Sequence, residues 1–508
     1  MASKDLQQKL AESLERAEAI ARNGVIKSTD LTRSDRERLL NAGWLQPIVK
    51  GWYQFGLQAE GTDGSSTFWY SHFWEFVSYY LSDRFGSEYC FSSESSLDFH
   101  INALSIPPQV VVITAGSGSS TLKLPHDTSL STYSDPDNLP SQRQLLKGLQ
   151  LMPLELALCR AVPRYFKSAV MDAELALQQA QPDQLSRCLL EGGHTRAASR
   201  LMGAYQFIGQ PERASRIKED MAAAGYRLSP VNPFKRETPL LTVNTRAQAP
   251  IGARLKAMWE SMRADVISTF KEMKTSKIDT KTCLAHIEDI YQHDAYNSLS
   301  IEGYHVTPEL IEKVRTGDWD PDNSKQDKEH IAAMAAKGYQ ESYKEVLNTI
   351  NRLLSSGDPV KGLQNDLQSW YRNLFSASVQ AGILSVSDLA GYRNRPVFIR
   401  NSRHVPPAHE MLMDSMDALF ECLQQEDEPA VRAVLGHFIF VFIHPYPDGN
   451  GRVARFLMNS QWVSAGYPWT IIRLENRKHY MQSLEQASVA GNIKPFSEFV
   501  LQEMQIEW

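Results

Sequence analysis

The chain has 508 residues, of which 42% are hydrophobic and 22% charged, with a formal net charge of −6. A chain of this length divides into about two to four domains with ordinary soluble cores, and its acidic balance leaves only a local patch for nucleic-acid contact. No run of about 18 apolar residues is free of polar breaks, which excludes an expected membrane span, and five singly scattered cysteines (Cys90, Cys159, Cys188, Cys283 and Cys422) point to reduced thiols in a cytoplasmic protein with no zinc site.

The opening stretch, MASKDLQQKLAESLERAEAI, is charged and amphipathic and lacks the apolar core and cleavage site of a signal peptide. Residues 24–56, GVIKSTDLTRSDRERLLNAGWLQPIVKGWYQFG, have the order of a helix–turn–helix followed by a strand–turn–strand wing. The short polar helix carries Arg33, Arg36 and Arg38, and Lys50 sits at the wing tip. From Arg22 to Lys50 the six cations (Arg22, Lys27, Arg33, Arg36, Arg38, Lys50) against three anions (Asp30, Asp35, Glu37) give 6 − 3 = +3. A second segment, 61–228, opens on the aromatic helix TFWYSHFWEFVSYYL, continues through a strand, QVVVITA, and Gly/Ser-rich GSGSS, and turns helical at LELALCRAVPRYF and DAELALQQA. Pro, Thr and Asn then mark a linker over 229–254.

Helical patterns dominate from residue 255 to the end. In NSLSIEGYHVT, Ser298 and Glu302 are four apart on one helix face and Gly303 supplies a natural helix end. GYRNRPVFIRNSRHVPP, 391–407, reads as a β-hairpin in which Val397 and Ile399 alternate with Phe398 and NSR turns the chain. The apolar run AVLGHFIFVFI is too short to span a bilayer and fits a buried helix, which Pro445 and Pro447 stop. A second helix starts near Asn450 and ends before Gly466 and Pro468.

The loop between those helices, HPYPDGNGRVAR from His444 to Arg455, suits phosphate. The first amides of a helix are unpaired and its dipole favours an anion. Gly449 and Gly451 admit close backbone approach. Arg452 and Arg455, three apart, share a face and can both reach phosphate oxygens. Asp448 is a hard oxygen ligand suited to Mg²⁺, and His444 can take a proton near neutral pH. The residues together point to phosphoryl or nucleotidyl transfer.

This string resembles the Fic-family signature, H-x-F-x-[DE]-G-N-G-R-x-x-R, with Tyr446 where Phe is usual. The resemblance, covering about 255–503, implies a mainly α protein with an all-helical core and a β-hairpin flap. It implies transfer of AMP from Mg·ATP to a hydroxyl of a target protein, with His444 as base and Asp448 as Mg²⁺ ligand. Gly449, Asn450, Gly451, Arg452 and Arg455 would hold the phosphates, Tyr480 would border the nucleotide, and Val397, Phe398 and Ile399 would pin a target segment by strand addition. The stretch Ser298–Glu302–Gly303 resembles the family's inhibitory motif, [ST]-x-x-x-E-[GN], on a helix around 285–303. That implies a brake in which Glu302 pairs with Arg455. Residues 1–60 resemble the winged helix of abortive-infection antitoxins, and 61–228 the α/β or α+β remainder of such bacterial toxin–antitoxin proteins. This resemblance implies duplex DNA contact through Arg33, Arg36, Arg38 and Lys50, and is compatible with a homodimer. Two other readings stand beside AMP transfer: a nucleotide-sensing transcription regulator with little turnover, and removal of AMP from a target with Glu302 orienting water.

Overall fold

A computed structural model describes residues 2–56, 65–116, 118–240, 250–273, 275, 279–316, 327–380 and 384–506. The chain divides into two compact units, one of 1–250 plus 398–405 and one of 251–397 plus 406–508.

In the first unit, α1 (Ala2–Ile20), β1 (Val25–Lys27), α2 (Arg33–Asn41), β2 (Leu45–Val49) and β3 (Trp52–Phe55) close around Ala17, Ile26, Leu31, Leu39 and Leu45. The three strands form one antiparallel sheet in the order β1–β3–β2. Thr32 caps α2 by accepting the Asp35 amide, which fixes where that helix begins. The aromatic run becomes α3 (Ser65–Phe85), whose Trp69, Phe73 and Phe76 are buried in a second core. That core also receives β4 (Tyr89–Phe91), β5 (Gln109–Thr114), β6 (Ser120–Lys123) and β7 (Ser129–Ser134) of a four-stranded sheet, with α4 (Ser93–His100) between its first two strands. The sheet is mixed: β5 and β7 run parallel, with Val112 opposite Thr132, and β4 and β6 pair antiparallel at the edges. A small ladder, β8 (Gln144–Leu146) with β9 (Leu149–Leu151), precedes the short helices α5 (Leu154–Arg160), α6 (Tyr165–Ser168), α7 (Val170–Gln179), α8 (Pro182–Glu191), α9 (Thr195–Phe207) and α10 (Pro211–Ala223). The sequence predicts only β5 among the strands of this segment; β4, β6, β8 and β9 are three or four residues long, and β7, SLSTYS, is as long as β5 but carries mostly hydroxyl side chains.

The second unit is helical: α11 (Pro250–Phe270), α12 (Thr280–Asp289), α13 (Tyr291–Ile301), α14 (Pro308–Thr316), α15 (Asp327–Ser356), α16 (Leu363–Gln380), α17 (Leu412–Gln425), α18 (Pro429–Ile443), α19 (Asn450–Ser464), α20 (Arg477–Ala490) and α21 (Lys494–Met504). α18 is buried on nearly all sides, as its apolar run requires, with Pro429 at its start where a missing N–H costs nothing.

Three expectations are adjusted. The linker is shorter than 229–254, because α11 already begins at Pro250; residues 241–249, like the 60/61 boundary, lie outside the described residues. The stretch around 285–303 is two helices broken at Ile290, and only α13 carries Ser298. The flap has its turn but no ladder: Ser402 N donates to Ile399 O at 3.2 Å and Asn401 takes a left-handed φ of 58°, yet Val397, Phe398 and Ile399 are not strand residues. The returning arm bonds elsewhere within the first unit. Ile106 N donates to Arg403 O at 2.9 Å, Val405 N to Leu104 O at 2.8 Å, and buried His404 bonds the same Leu104 carbonyl through Nδ1. An arm whose backbone groups are satisfied there has no need of a hairpin partner. Among the described residues no helix is long and apolar enough to cross a membrane.

Candidate active site

The end of α18 and the start of α19 form the site. His444 caps α18 in the left-handed conformation (φ 52°), which turns the chain sharply out of the helix. Arg393 holds that turn: its Nε donates to His444 O at 2.8 Å, its backbone N–H to Pro445 O at 2.9 Å and its Nη2 to Pro407 O at 2.5 Å. Burial pulls the Arg393 guanidinium down to about 10. Asn450 clamps the loop from the other side, accepting Tyr446 N–H at 2.9 Å and donating to Tyr446 O at 2.8 Å. Both ends of that side-chain amide are engaged and the residue is buried, so the Asn450 side chain shapes the loop. Tyr446 is itself buried, stacked on Tyr371 at 4.0 Å between centroids.

The His444 ring has a defined proton. Its Nδ1 lies 3.2 Å from Val441 O, and a carbonyl only accepts, so Nδ1 carries the hydrogen and Nε2 keeps its lone pair. Burial, with Arg393 nearby, lowers the imidazole to about 4 even though the Val441 carbonyl pulls the other way. The ring is therefore neutral at pH 7.

Gly449 enters α19 at φ 75°, and a Cβ there would meet the Phe375 ring at 2.8 Å. Arg452 lies between two aromatic faces, 5.1 Å from the Tyr304 centroid and 4.9 Å from that of Phe375. Its side chain is 1% exposed, and its Nη2 makes only long contacts, 3.3 Å to Asp448 Oδ2 and 3.5 Å to Tyr304 Oη. Arg452 Nε, Arg452 Nη1 and Arg455 Nη1 are buried with no hydrogen-bond partner among the described residues. An unpaired buried donor costs about 1–3 kcal/mol, more when charged. Three at one helix N-terminus make a cradle for an anion with several oxygens. Asp448 stands at its rim with 62% of its side chain exposed.

Glu302 sits in the same place. Its Oε1 accepts from Arg455 Nη2 at 2.7 Å, and a Cβ on Gly451 would lie 2.4 Å from that oxygen. The carboxylate thus rests against the first turn of α19, in the position an incoming anion would use. Burial opposes its ionisation, but Arg455 and then Arg452 outweigh burial and hold its carboxyl below the usual range. Burial likewise opposes the charge on Arg455, and Glu302 more than restores it. Ser298, one turn back on α13, accepts Arg455 Nε at 3.0 Å, and Gly303 (φ 92°) ends the helix.

Tyr480 is buried, its hydroxyl 2.9 Å from His437 Nε2 and beside the Arg455 guanidinium at the back of the cradle. The sequence reading missed Arg393, Tyr304 and Arg477, whose Nε donates to Ile301 O at 2.7 Å and holds the end of α13. Arg393 and Arg477 act on backbone carbonyls far away in sequence, a contact with no side-chain pattern. Tyr304 adjoins Gly303 and could have been found as part of the same stretch.

Of the four cations expected at DNA, Arg38 is turned inward. It donates to Ser13 Oγ at 2.5 Å and to Asp35 at 3.2 Å, and it stitches α2 to α1. Arg16, with Thr32 and Ser13, holds the Asp35 carboxyl well below its usual range. Arg33 pairs with Glu37 at 2.8 Å along the helix surface, Arg36 makes a long contact to Ser28 O at 3.4 Å, and Lys50 is exposed at the β2–β3 turn.

A loop between two helices joins a neutral histidine to a cationic cradle suited to an anion such as a phosphate. Residues 363–461 match the family model described as Fic/DOC family. The chain is 45% identical over 113 residues, 22% of this chain and 26% of the other, to a protein adenylyltransferase Fic of Nematostella vectensis. It is 26% identical over 265 residues, 47% of each chain, to that of Drosophila willistoni. The chain thus spans about half or less of the length of these relatives. A solved structure of Fic-1 from C. elegans covers 68% of this chain and 90% of its own at 18% identity and a TM-score of 0.35.

Proposed function

We propose that the second unit transfers AMP from ATP to a hydroxyl side chain of a protein and is held back by Glu302. The three unpartnered donors of Arg452 and Arg455 beside a neutral His444, inside the stretch that matches the Fic/DOC family, carry this reading. The relatives' printed name, protein adenylyltransferase, supports it.

In this reading the phosphates of ATP lie along the first turn of α19. Arg452 and Arg455 neutralise their charge, and Gly451 leaves room for them. The target hydroxyl oxygen bonds to the α-phosphorus, the bond from that phosphorus to the pyrophosphate oxygen breaks, and His444 Nε2 takes the hydroxyl proton. Asp448, 62% exposed at the rim with Oδ1 accepting the Gly449 amide and Oδ2 3.3 Å from Arg452 Nη2, is the hard oxygen donor that would hold a Mg²⁺. Bound there, the ion would supply further charge neutralisation. Arg455 cannot serve Glu302 and the γ-phosphate with the same Nη2, so the resting protein is slow. A charge-assisted bond of this kind is worth about 1.5–3 kcal/mol, or roughly 10- to 150-fold.

The test is intact-mass analysis of the chain incubated with Mg·ATP. Glu302→Gly gains AMP on its own hydroxyls at least about tenfold faster than the parent, and Glu302→Gly with Arg455→Ala gains none. Equal incorporation by the parent and Glu302→Gly at saturating ATP would remove the brake. No incorporation by either, with or without added lysate, would remove the transfer reading.

For the first unit a finer reading is duplex contact by the α2–hairpin region. The β1–β3–β2 sheet with Lys50 exposed at its turn supports it.

A further inference from the structure

Arg455 is gripped at two points of different character. Glu302 takes Nη2 from the end of a flexible side chain at the helix terminus. Ser298 takes Nε through its hydroxyl at 3.0 Å and Nη2 through its carbonyl at 3.1 Å, from inside α13. The Ser298 hydroxyl, having accepted from Arg455, has its own proton left to give, and the Tyr339 hydroxyl lies beside it. Tyr339 donates in turn to Asp294 Oδ2 at 2.5 Å, and the other Asp294 oxygen accepts from Trp469 Nε1 at 3.0 Å. Arg455, Ser298, Tyr339 and Asp294 are all buried. The Ser298 contacts to Arg455 and the Tyr339–Asp294–Trp469 contacts behind them involve no atom of Glu302.

We infer that Ser298, held by Tyr339 and Asp294, is a positioning residue for transfer: it fixes the Arg455 guanidinium by its Nε edge so that the Nη edge faces the phosphates once Glu302 withdraws. The physical reason is orientational. A planar guanidinium fixed along one edge presents the remaining donors as a fork of set direction, whereas one released from Nε must lose rotamer freedom on binding. Glu302 can leave by rotating its own side chain, while Ser298 lies within the helix and stays. The sign of this assignment is opposite to that of the inhibitory-motif reading, in which Ser298 and Glu302 form one brake and removal of either would raise activity.

The inference rests on the proposed AMP transfer, and the test separates the two. In the full chain carrying Glu302→Gly, Ser298→Ala, Ser298→Thr and Tyr339→Phe are added singly. ATP affinity is measured by titration calorimetry, self-modification by intact mass over a range of ATP concentrations, and the melting transition confirms folding. Ser298→Ala is expected to lower kcat/KM by at least about tenfold and to weaken ATP binding, Tyr339→Phe to do the same to a smaller degree, and Ser298→Thr, which keeps the hydroxyl, to restore most of both. If Ser298→Ala folds and matches or exceeds its Glu302→Gly parent in affinity and rate, the inference is overturned. Should Ser298→Ala fail to fold, unchanged kinetics and affinity in folded Tyr339→Phe overturn it equally. Should Glu302→Gly transfer nothing while Ser298→Ala still weakens ATP binding, the transfer reading falls and the positioning of Arg455 survives.

Discussion

Most of the site's behaviour is decided at single atoms. The carbonyl of Val441 makes Nε2 the basic nitrogen of His444, and burial puts the ring near 4. A base must be neutral to act, so a lowered value keeps His444 competent down to that pH. The acid limb of kcat/KM for Glu302→Gly is therefore expected near pH 4–5, below the ordinary histidine range, and a limb at about 6.5 would contradict it. His444→Ala is expected to cut transfer by about 10²- to 10⁴-fold with ATP affinity nearly unchanged, because the ring serves the hydroxyl and not the phosphates. Retention of more than about a tenth of the activity would take His444 out of that role. Gly451 shows the same economy of space: its missing Cβ is the room in which Glu302 Oε1 now lies.

At the scale of elements, the proposed brake on α13 depends on other elements that hold its end. Arg477, at the start of α20, binds the carbonyl of Ile301 just before Glu302. Arg477→Ala removes a cationic cap from a helix C-terminus, worth about 0.5–1.5 kcal/mol, and should raise basal self-modification by about 2- to 10-fold. No change in rate would show that α13 stays seated without it. The flap is decided by its neighbours too. With Arg403 O, Val405 N and His404 Nδ1 bonded to Leu104 and Ile106, the returning arm belongs to the first unit. His404→Ala is expected to speed tryptic cleavage after Arg400 and Arg403 by several-fold while the melting midpoint moves little; an unchanged digestion rate would mean that the backbone bonds alone protect the arm.

For the molecule as a whole, charge sets the terms on which the first unit could meet nucleic acid. A chain of net charge −6 repels a duplex except where cations are free to meet it. Arg38 is occupied by Ser13 and Asp35 and Arg33 by Glu37, so Arg36 and Lys50 remain as the candidate contacts of the proposed duplex reading. Any binding should be weak and steeply salt-dependent, and Lys50→Ala should reduce the slope of log affinity against log salt by about one. A gel-shift series on duplex DNA at low salt checks this, and the absence of any shift would end the DNA reading. The helical second unit, the buried α18, the loop at His444 and the cationic start of α19 were all legible in the sequence. Each depends on local order: an apolar run, two prolines, two glycines, and arginines three apart. So was the four-residue spacing of Ser298 and Glu302. The partners were not. That Glu302 occupies the cradle, that Tyr480 bonds His437 beside Arg455, that Arg393 and Arg477 hold backbone carbonyls, and that the flap arm bonds to Leu104 and Ile106 all depend on segments distant in sequence. Local sequence sets which groups a segment offers, and tertiary packing decides which buried donor meets which acceptor, because every such group must find a partner wherever the fold brings one.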